Sequence, residues 1–245
     1  MKKNLNLLLL AALPLAAVAH TNRGARVGIG ASSLSLGVSG AGTGVAAGSV
    51  PVVTLSLTST LRLGAARTRV RASISEGRSS ASGESVRFQK FRIGLTPDPR
   101  AAFSPAASVG VLDESAQQPP MQYVSYGFNP ATFAPTVTTV TMVFPPVSVT
   151  TGFVSAGLRY QRRLAPGLHV RGSVAAMVGF GGSTVGLPPA ASQGSGVGHQ
   201  IGVALVYQPS ARARVTVGYG DASLPVRGYT LTQRGLIARV SYLFF

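Results

Sequence analysis

The chain has 245 residues, of which 45% are hydrophobic and 11% charged, with 30 glycines and no cysteine. This composition is too apolar for a disordered tail and too rich in glycine for a helical bundle, and the lack of cysteine excludes disulfides and thiol chemistry. The 22 basic and 6 acidic residues give a net charge of +16, which favours attraction to anionic solutes or surface polymers.

The N-terminus has the three parts of an export signal. They are a positive start, an apolar run and a small-x-small cleavage motif: Lys2 and Lys3, residues 5–18, and residues 17–19. A membrane-anchoring helix is disfavoured because Asn6 and Pro14 interrupt a short run. We therefore predict a signal peptide at residues 1–19 and a single domain at 20–245. Removing the two lysines leaves 20 basic residues against 6 acids, so the mature chain is formally +14.

The mature chain alternates apolar and polar residues in paired segments joined by tight turns, and it has no run of 18 apolar residues that would predict a transmembrane helix. These segments are 53–63 with 69–74, 91–95 with 101–112, 154–160 with 168–174, and 201–207 with 214–219. A first strand at 26–38 and a last at 229–245 complete the set. The pattern predicts an all-β fold, a closed antiparallel transmembrane β-barrel of about ten strands, with eight or twelve as alternatives.

Two features qualify that strand count. Val27 and Ile29 are out of phase with Leu34, which predicts a bulge near Ser32. Segments 121–128 and 137–144 are either two further strands or an extension of a hairpin above the membrane. The nearby prolines favour the extension.

Long Gly/Ser/Pro-rich connections alternate with the tight turns, as in barrels with short periplasmic turns and long outer loops. The predicted outer loops are 39–49, 77–83, 113–146, 181–196 and 220–228. All six acids fall in or beside predicted loops and turns: Glu76, Glu84, Asp98, Asp113, Glu114 and Asp221.

The C-terminal strand has one apolar face, formed by Leu236, Ala238, Val240, Tyr242 and Phe244. A terminal strand of this kind, ending in an aromatic residue, resembles the signature of small bacterial outer-membrane β-barrel proteins, although Phe245 lies one step beyond the apolar phase. The resemblance implies outer-membrane localisation, contact with outer-membrane lipid, and recognition of this strand by the barrel assembly machinery. It leaves the function open between a structural or surface-interaction barrel and a narrow channel.

Eight arginines have the phase of the lumen and lie near predicted periplasmic turns or ends, so we predict a basic ring: Arg62, Arg69, Arg71, Arg92, Arg159, Arg171, Arg214 and Arg239. In an open lumen, such a ring would line a narrow, anion-preferring channel. In a small barrel whose interior is filled by side chains, it would be packing, and this second interpretation is favoured.

No catalytic constellation is present. The only histidines are His20, His169 and His199, and none has a suitably placed acid or nucleophile. The chain is therefore predicted not to be an enzyme and to have no catalytic residues, no cofactor and no metal site. No nucleic-acid partner is expected.

Overall fold

The computed structural model describes residues 27–42, 49–63, 66–81, 84–97, 101–186, 196–226 and 229–244. The predicted signal peptide, residues 1–19, lies outside the described residues. The strands are β1 (Val27–Gly42), β2 (Ser49–Leu63), β3 (Ala66–Ala81), β4 (Glu84–Pro97), β5 (Phe103–Gln117), β6 (Met121–Asn129), β7 (Ala134–Met142), β8 (Val147–Ala165), β9 (Leu168–Val185), β10 (Val197–Tyr207), β11 (Ala213–Val226) and β12 (Tyr229–Leu243). Within these residues no helix is long and apolar enough to cross a membrane.

Ten of the strands close into one antiparallel barrel in the order β1-β12-β11-β10-β9-β8-β5-β4-β3-β2. The predicted fold class and the favoured strand number are therefore confirmed. β5 pairs directly with β8, and the chain between them forms a separate two-stranded sheet, β6–β7. This hairpin is an extension outside the barrel, as the prolines favoured.

The outer wall is apolar at every second residue. On β10, for example, Val203 and Leu205 are more than half exposed, whereas their lumen-facing neighbours Gly202 and Ala204 are partly covered. Closed pairing satisfies the backbone of each strand, and the alternating side chains present a hydrocarbon-compatible surface. The wall is therefore built to face lipid.

The barrel closes where β1 meets β12. The register of β1 against β2 shifts between Ile29 and Ser32, which confirms the predicted bulge. Next to it, the Phe244 amide donates a hydrogen bond to the Ser32 carbonyl at 3.0 Å. One extra residue on β1 between Ile29 and Ser32 accounts for the shift. The terminal strand thus seals the cylinder.

Several strands continue well beyond their predicted ends. Most of 77–83 and 220–228 is strand, since β3 runs to Ala81 and β11 to Val226, so the prediction of outer loops there is wrong. Five acids predicted in or beside loops belong to strands: Glu76, Glu84 at the start of β4, Asp113, Glu114 and Asp221.

These strands extend beyond their predicted ends because the apolar face changes sides along them. On β4, Phe91 and Leu95 face outward, but Val86 and Phe88 have lumen phase and are buried. β11 makes the same change, from outward Val217 to inward Leu224. The outer ends of β4 and β11 are therefore polar outside and apolar inside, as in a water-soluble barrel. The loss of a continuous lipid-facing pattern marks the membrane boundary and not the end of the strand.

Candidate functional site

The outer part of the lumen is filled by one hydrophobic cluster, which we call the apolar layer. Its side chains come from seven of the ten barrel strands: Val52, Phe88, Leu112, Val149, Phe153, Met177, Leu224, Val226 and Leu231. Phe88 and Phe153 have no exposed surface at all. These side chains pack against one another across the outer lumen.

Glycines make room for this layer. A Cβ on Gly110 would lie 2.7 Å from Cζ of Phe153, and a Cβ on Gly77 would lie 2.8 Å from Cγ2 of Val52. Both glycines face the lumen from strands next to the residues they accommodate. The Gly-rich composition therefore serves close packing inside the barrel as well as turns.

Below the apolar layer, at the depth of the lipid-facing wall, lies the lumenal basic cluster: Arg69, Arg71, Lys90, Arg92, Arg159, Arg171, Arg214 and Arg239. It includes seven of the eight arginines of the predicted ring. The exception, Arg62, is exposed at the end of β2 and does not line the lumen cavity. Lys90 was missed, although it shares the phase of Arg92 on β4, and that phase was the signal that would have found it.

The hydrogen-bond partners of this cluster are neutral. The Arg71 guanidinium donates to Oγ of Ser56 at 2.8 Å, and the Arg171 guanidinium donates to Oε1 of Gln161 at 3.0 Å. Other bonds cross the lumen, from Nη1 of Arg92 to Oε1 of Gln200 at 2.9 Å, and from Nζ of Lys90 to Oε1 of Gln233 at 3.0 Å. Amide and hydroxyl oxygens orient these cations without neutralising them.

Lys90 also connects the two zones of the lumen. Its ammonium lies 5.4 Å from the ring centroid of Phe153, within cation–π range, directly beneath the apolar layer.

Two of the described acids have lumen phase. Glu114 faces the lumen at the height of the apolar layer and is fully buried. Another, Glu84, has lumen phase at the outer end of β4.

The remaining described acids point away from the lumen. Glu76 and Asp221 form ion pairs on the outer wall with Arg78 and Arg234, at 3.1 and 3.2 Å. On the same wall, Asp113 accepts a hydrogen bond from Thr150 at 2.6 Å. These polar contacts surround the barrel above its lipid-facing band, so they do not compensate the cations inside.

Small side chains leave a cavity around the basic cluster. It has a volume of about 360 Å³, and its lining includes Ser35, Gly37, Ser73, Ser155 and Gly202. At the periplasmic end, a depression of about 320 Å³ is lined by Arg163, His169 and Gln208. Gln208 accepts a hydrogen bond from Arg214 of the cluster at 3.2 Å. A basic surface therefore continues from the cluster to the periplasmic rim.

Neither described histidine is part of an acid–base pair within the described residues. His169 lies among Arg163 and Gln208 at the periplasmic end, and His199 faces outward, exposed on β10. In the same residues, no group of three or more His, Cys, Asp or Glu side chains could hold a metal ion.

A closed ten-stranded barrel with an apolar wall, a charged lumen and an aromatic C-terminal strand defines an integral outer-membrane β-barrel. The chain resides in the outer membrane. The β6–β7 hairpin lies at the end of the barrel opposite the start of β1 and the end of β12, which is the extracellular end in barrels of this class.

No protein-family model and no curated protein matches the chain. Solved structures with a similar fold include the translocator domain of the autotransporter NalP from Neisseria meningitidis, with 12% identity, a TM-score of 0.43, and coverage of 99% of this chain and 98% of that chain. An outer membrane channel from Pseudomonas putida F1 has 13% identity and a TM-score of 0.48, over 89% and 96% of the two chains. The outer membrane protease OmpT from Escherichia coli has 8% identity and a TM-score of 0.38, over 89% and 95%. At such low identities and TM-scores these similarities carry no argument about function.

Proposed function

We propose that the protein is a non-enzymatic, non-conducting barrel that serves a structural or surface-interaction role in the outer membrane. The observation that carries this proposal is the apolar layer. We infer that the fully buried Phe88, Phe153 and Val149 close the lumen, because an anion entering the apolar layer would lose its hydration and meet apolar side chains and the acid Glu114. Function is therefore expected at the exposed surfaces.

The β6–β7 hairpin supports the surface-interaction part of the proposal. Residues 118–146 contain no charged side chain, and nearly every residue of both strands is exposed. Its tip carries an aromatic patch in which the rings of Phe128 and Phe133 meet edge to face at 5.9 Å, beside exposed Tyr126. Exposed apolar clusters of this kind mark interaction surfaces.

A narrow anion-preferring channel is the second candidate, and the lumenal basic cluster favours it, since rings of arginine select anions. Recordings in planar bilayers discriminate between the two candidates. We expect the refolded protein, verified by its altered mobility on unheated gels, to give no conductance steps. Reproducible anion-selective steps would contradict the closed-lumen proposal and establish the channel.

The surface role is tested at the hairpin tip. Replacing Tyr126, Phe128 and Phe133 by serine is expected to reduce adhesion of producing cells to an apolar surface to the level of cells lacking the protein. The barrel should be unaffected, because no strand of the hairpin pairs with it. Thr138→Ser on the opposite face of the hairpin is the control. Unchanged adhesion in the triple variant, with normal amounts in the outer membrane, would refute a role for this patch.

A further inference from the structure

We propose that the lumen cavity is a binding site for a small, multiply charged anion of the phosphate class. This proposal goes beyond the surface role. It is tested independently of that role, because anion binding can be measured whether or not the barrel conducts. The cavity of about 360 Å³ falls within the roughly 300–1,000 Å³ range of small-molecule sites.

The first argument is uncompensated charge. The eight cations of the lumenal basic cluster surround one cavity, and the contacts seen for them are with neutral oxygens such as those of Ser56, Gln200 and Gln233. Basic groups at membrane depth are costly unless a charged partner or water compensates them, and like charges in a narrow space raise one another's cost. A multiply charged anion would remove both costs at once.

The second argument is donor capacity that the protein leaves unused. Nε of Arg71, of Arg214 and of Arg239 is buried without a hydrogen-bond partner among the described residues. Arg239 stacks against Gly37, where an added Cβ would lie 3.3 Å from its Nε. Buried donors are normally satisfied, and the planar guanidinium fork matches phosphate oxygens in bidentate geometry. The three arginines come from β3, β11 and β12, and all of them line the lumen cavity.

The third argument is access. The apolar layer fills the outer side, whereas on the periplasmic side Arg214 of the cluster donates a hydrogen bond to Gln208, which lines the depression beside Arg163 and His169. The closed wall excludes bilayer lipid from the cavity. The ligand is therefore a free, water-soluble anion.

Binding is tested with inorganic tripolyphosphate and pyrophosphate as probes on the refolded full barrel. Calorimetry at constant ionic strength is expected to show saturable binding of one anion per barrel. The double variant Arg71→Ser/Arg171→Ser should bind at least about tenfold more weakly, since charge-assisted hydrogen bonds are lost. Arg78→Ser, on the outer wall, should bind like the unmodified protein. Equal affinity in all three proteins, or heats matched by sodium chloride alone, would overturn the proposal.

A labelling experiment keeps the test independent of how well the double variant folds. The chain has no cysteine, and Ser173 faces the lumen cavity with its side chain exposed. In Ser173→Cys, a negatively charged thiol reagent should react faster than its positively charged analogue, and tripolyphosphate should slow the reaction about tenfold. Ser85→Cys, on the outer wall, should show neither effect. Adding phosphatidylglycerol to the micelles should leave the Ser173→Cys reaction unchanged. Protection by the lipid and not by tripolyphosphate, or no protection at all, would overturn the proposal.

Discussion

A barrel carrying Phe88→Ala and Phe153→Ala is expected to lose about 3–5 kcal/mol of unfolding free energy for each ring and to begin conducting ions. Both rings are fully buried in the apolar layer, and Phe153 fills the space that Gly110 leaves open. Removing them takes away packing and also the hydrophobic closure of the lumen. Water that enters the gap then meets Lys90 and Arg92 directly.

The expected current is anion-preferring, because fixed positive charges in a narrow passage concentrate anions. Its selectivity should weaken at high salt, as the Debye length falls from about 10 Å at 0.1 M to about 3 Å at 1 M. Planar-bilayer recordings and denaturant titrations measure the two effects separately. Phe180→Ala, the same truncation on the lipid-facing side of β9, is the control and should give no conductance. If the double variant folded but gave no conductance, the apolar layer would not be what closes the lumen. The single variant Phe153→Leu provides a milder test should the double variant fail to fold.

The second large effect is expected on the lipid-facing wall. Val203→Arg should lower the free energy of unfolding by about 2–4 kcal/mol, the cost of a lipid-facing cation near the bilayer midplane. Val203 is 56% exposed on β10, between strands whose outward neighbours, Gly172 and Tyr219, face the same way.

The matched control is the adjacent residue, Gly202, which points into the lumen. Gly202→Ser should be mild, because its new Cβ would lie 3.1 Å from the Ser173 hydroxyl, which can rotate away. Denaturant titration in lipid vesicles, followed by gel mobility or tyrosine fluorescence because the chain has no tryptophan, measures both changes. A larger cost at Gly202 than at Val203 would place every side chain of β10 on the opposite face.

The periodicity of single segments was enough to predict how each strand faces lipid and lumen. Arg71, Arg171 and Arg239 could be placed in the lumen because a strand alternates its side chains and a charge on the lipid side of a membrane barrel is destabilising. The bulge at Ser32 was equally predictable, since a one-residue change of phase needs one extra residue.

The sequence by itself therefore determined the fold class, the wall facing lipid and the lumenal phase of the basic residues, all of which are local properties of alternating segments. Only the tertiary structure showed that apolar side chains gather in the outer lumen. The apolar layer draws residues such as Val52, Phe88 and Leu224 from distant strands, and each of them is out of phase with the lipid-facing pattern of its own strand. Whether the outward or the inward face of a strand segment is apolar depends on where that segment lies relative to the bilayer. That position is set by the register of all ten strands, so it cannot be read from one segment alone. The same holds for the hairpin: its internal pairing is local, but its separation from the barrel follows from β5 pairing directly with β8.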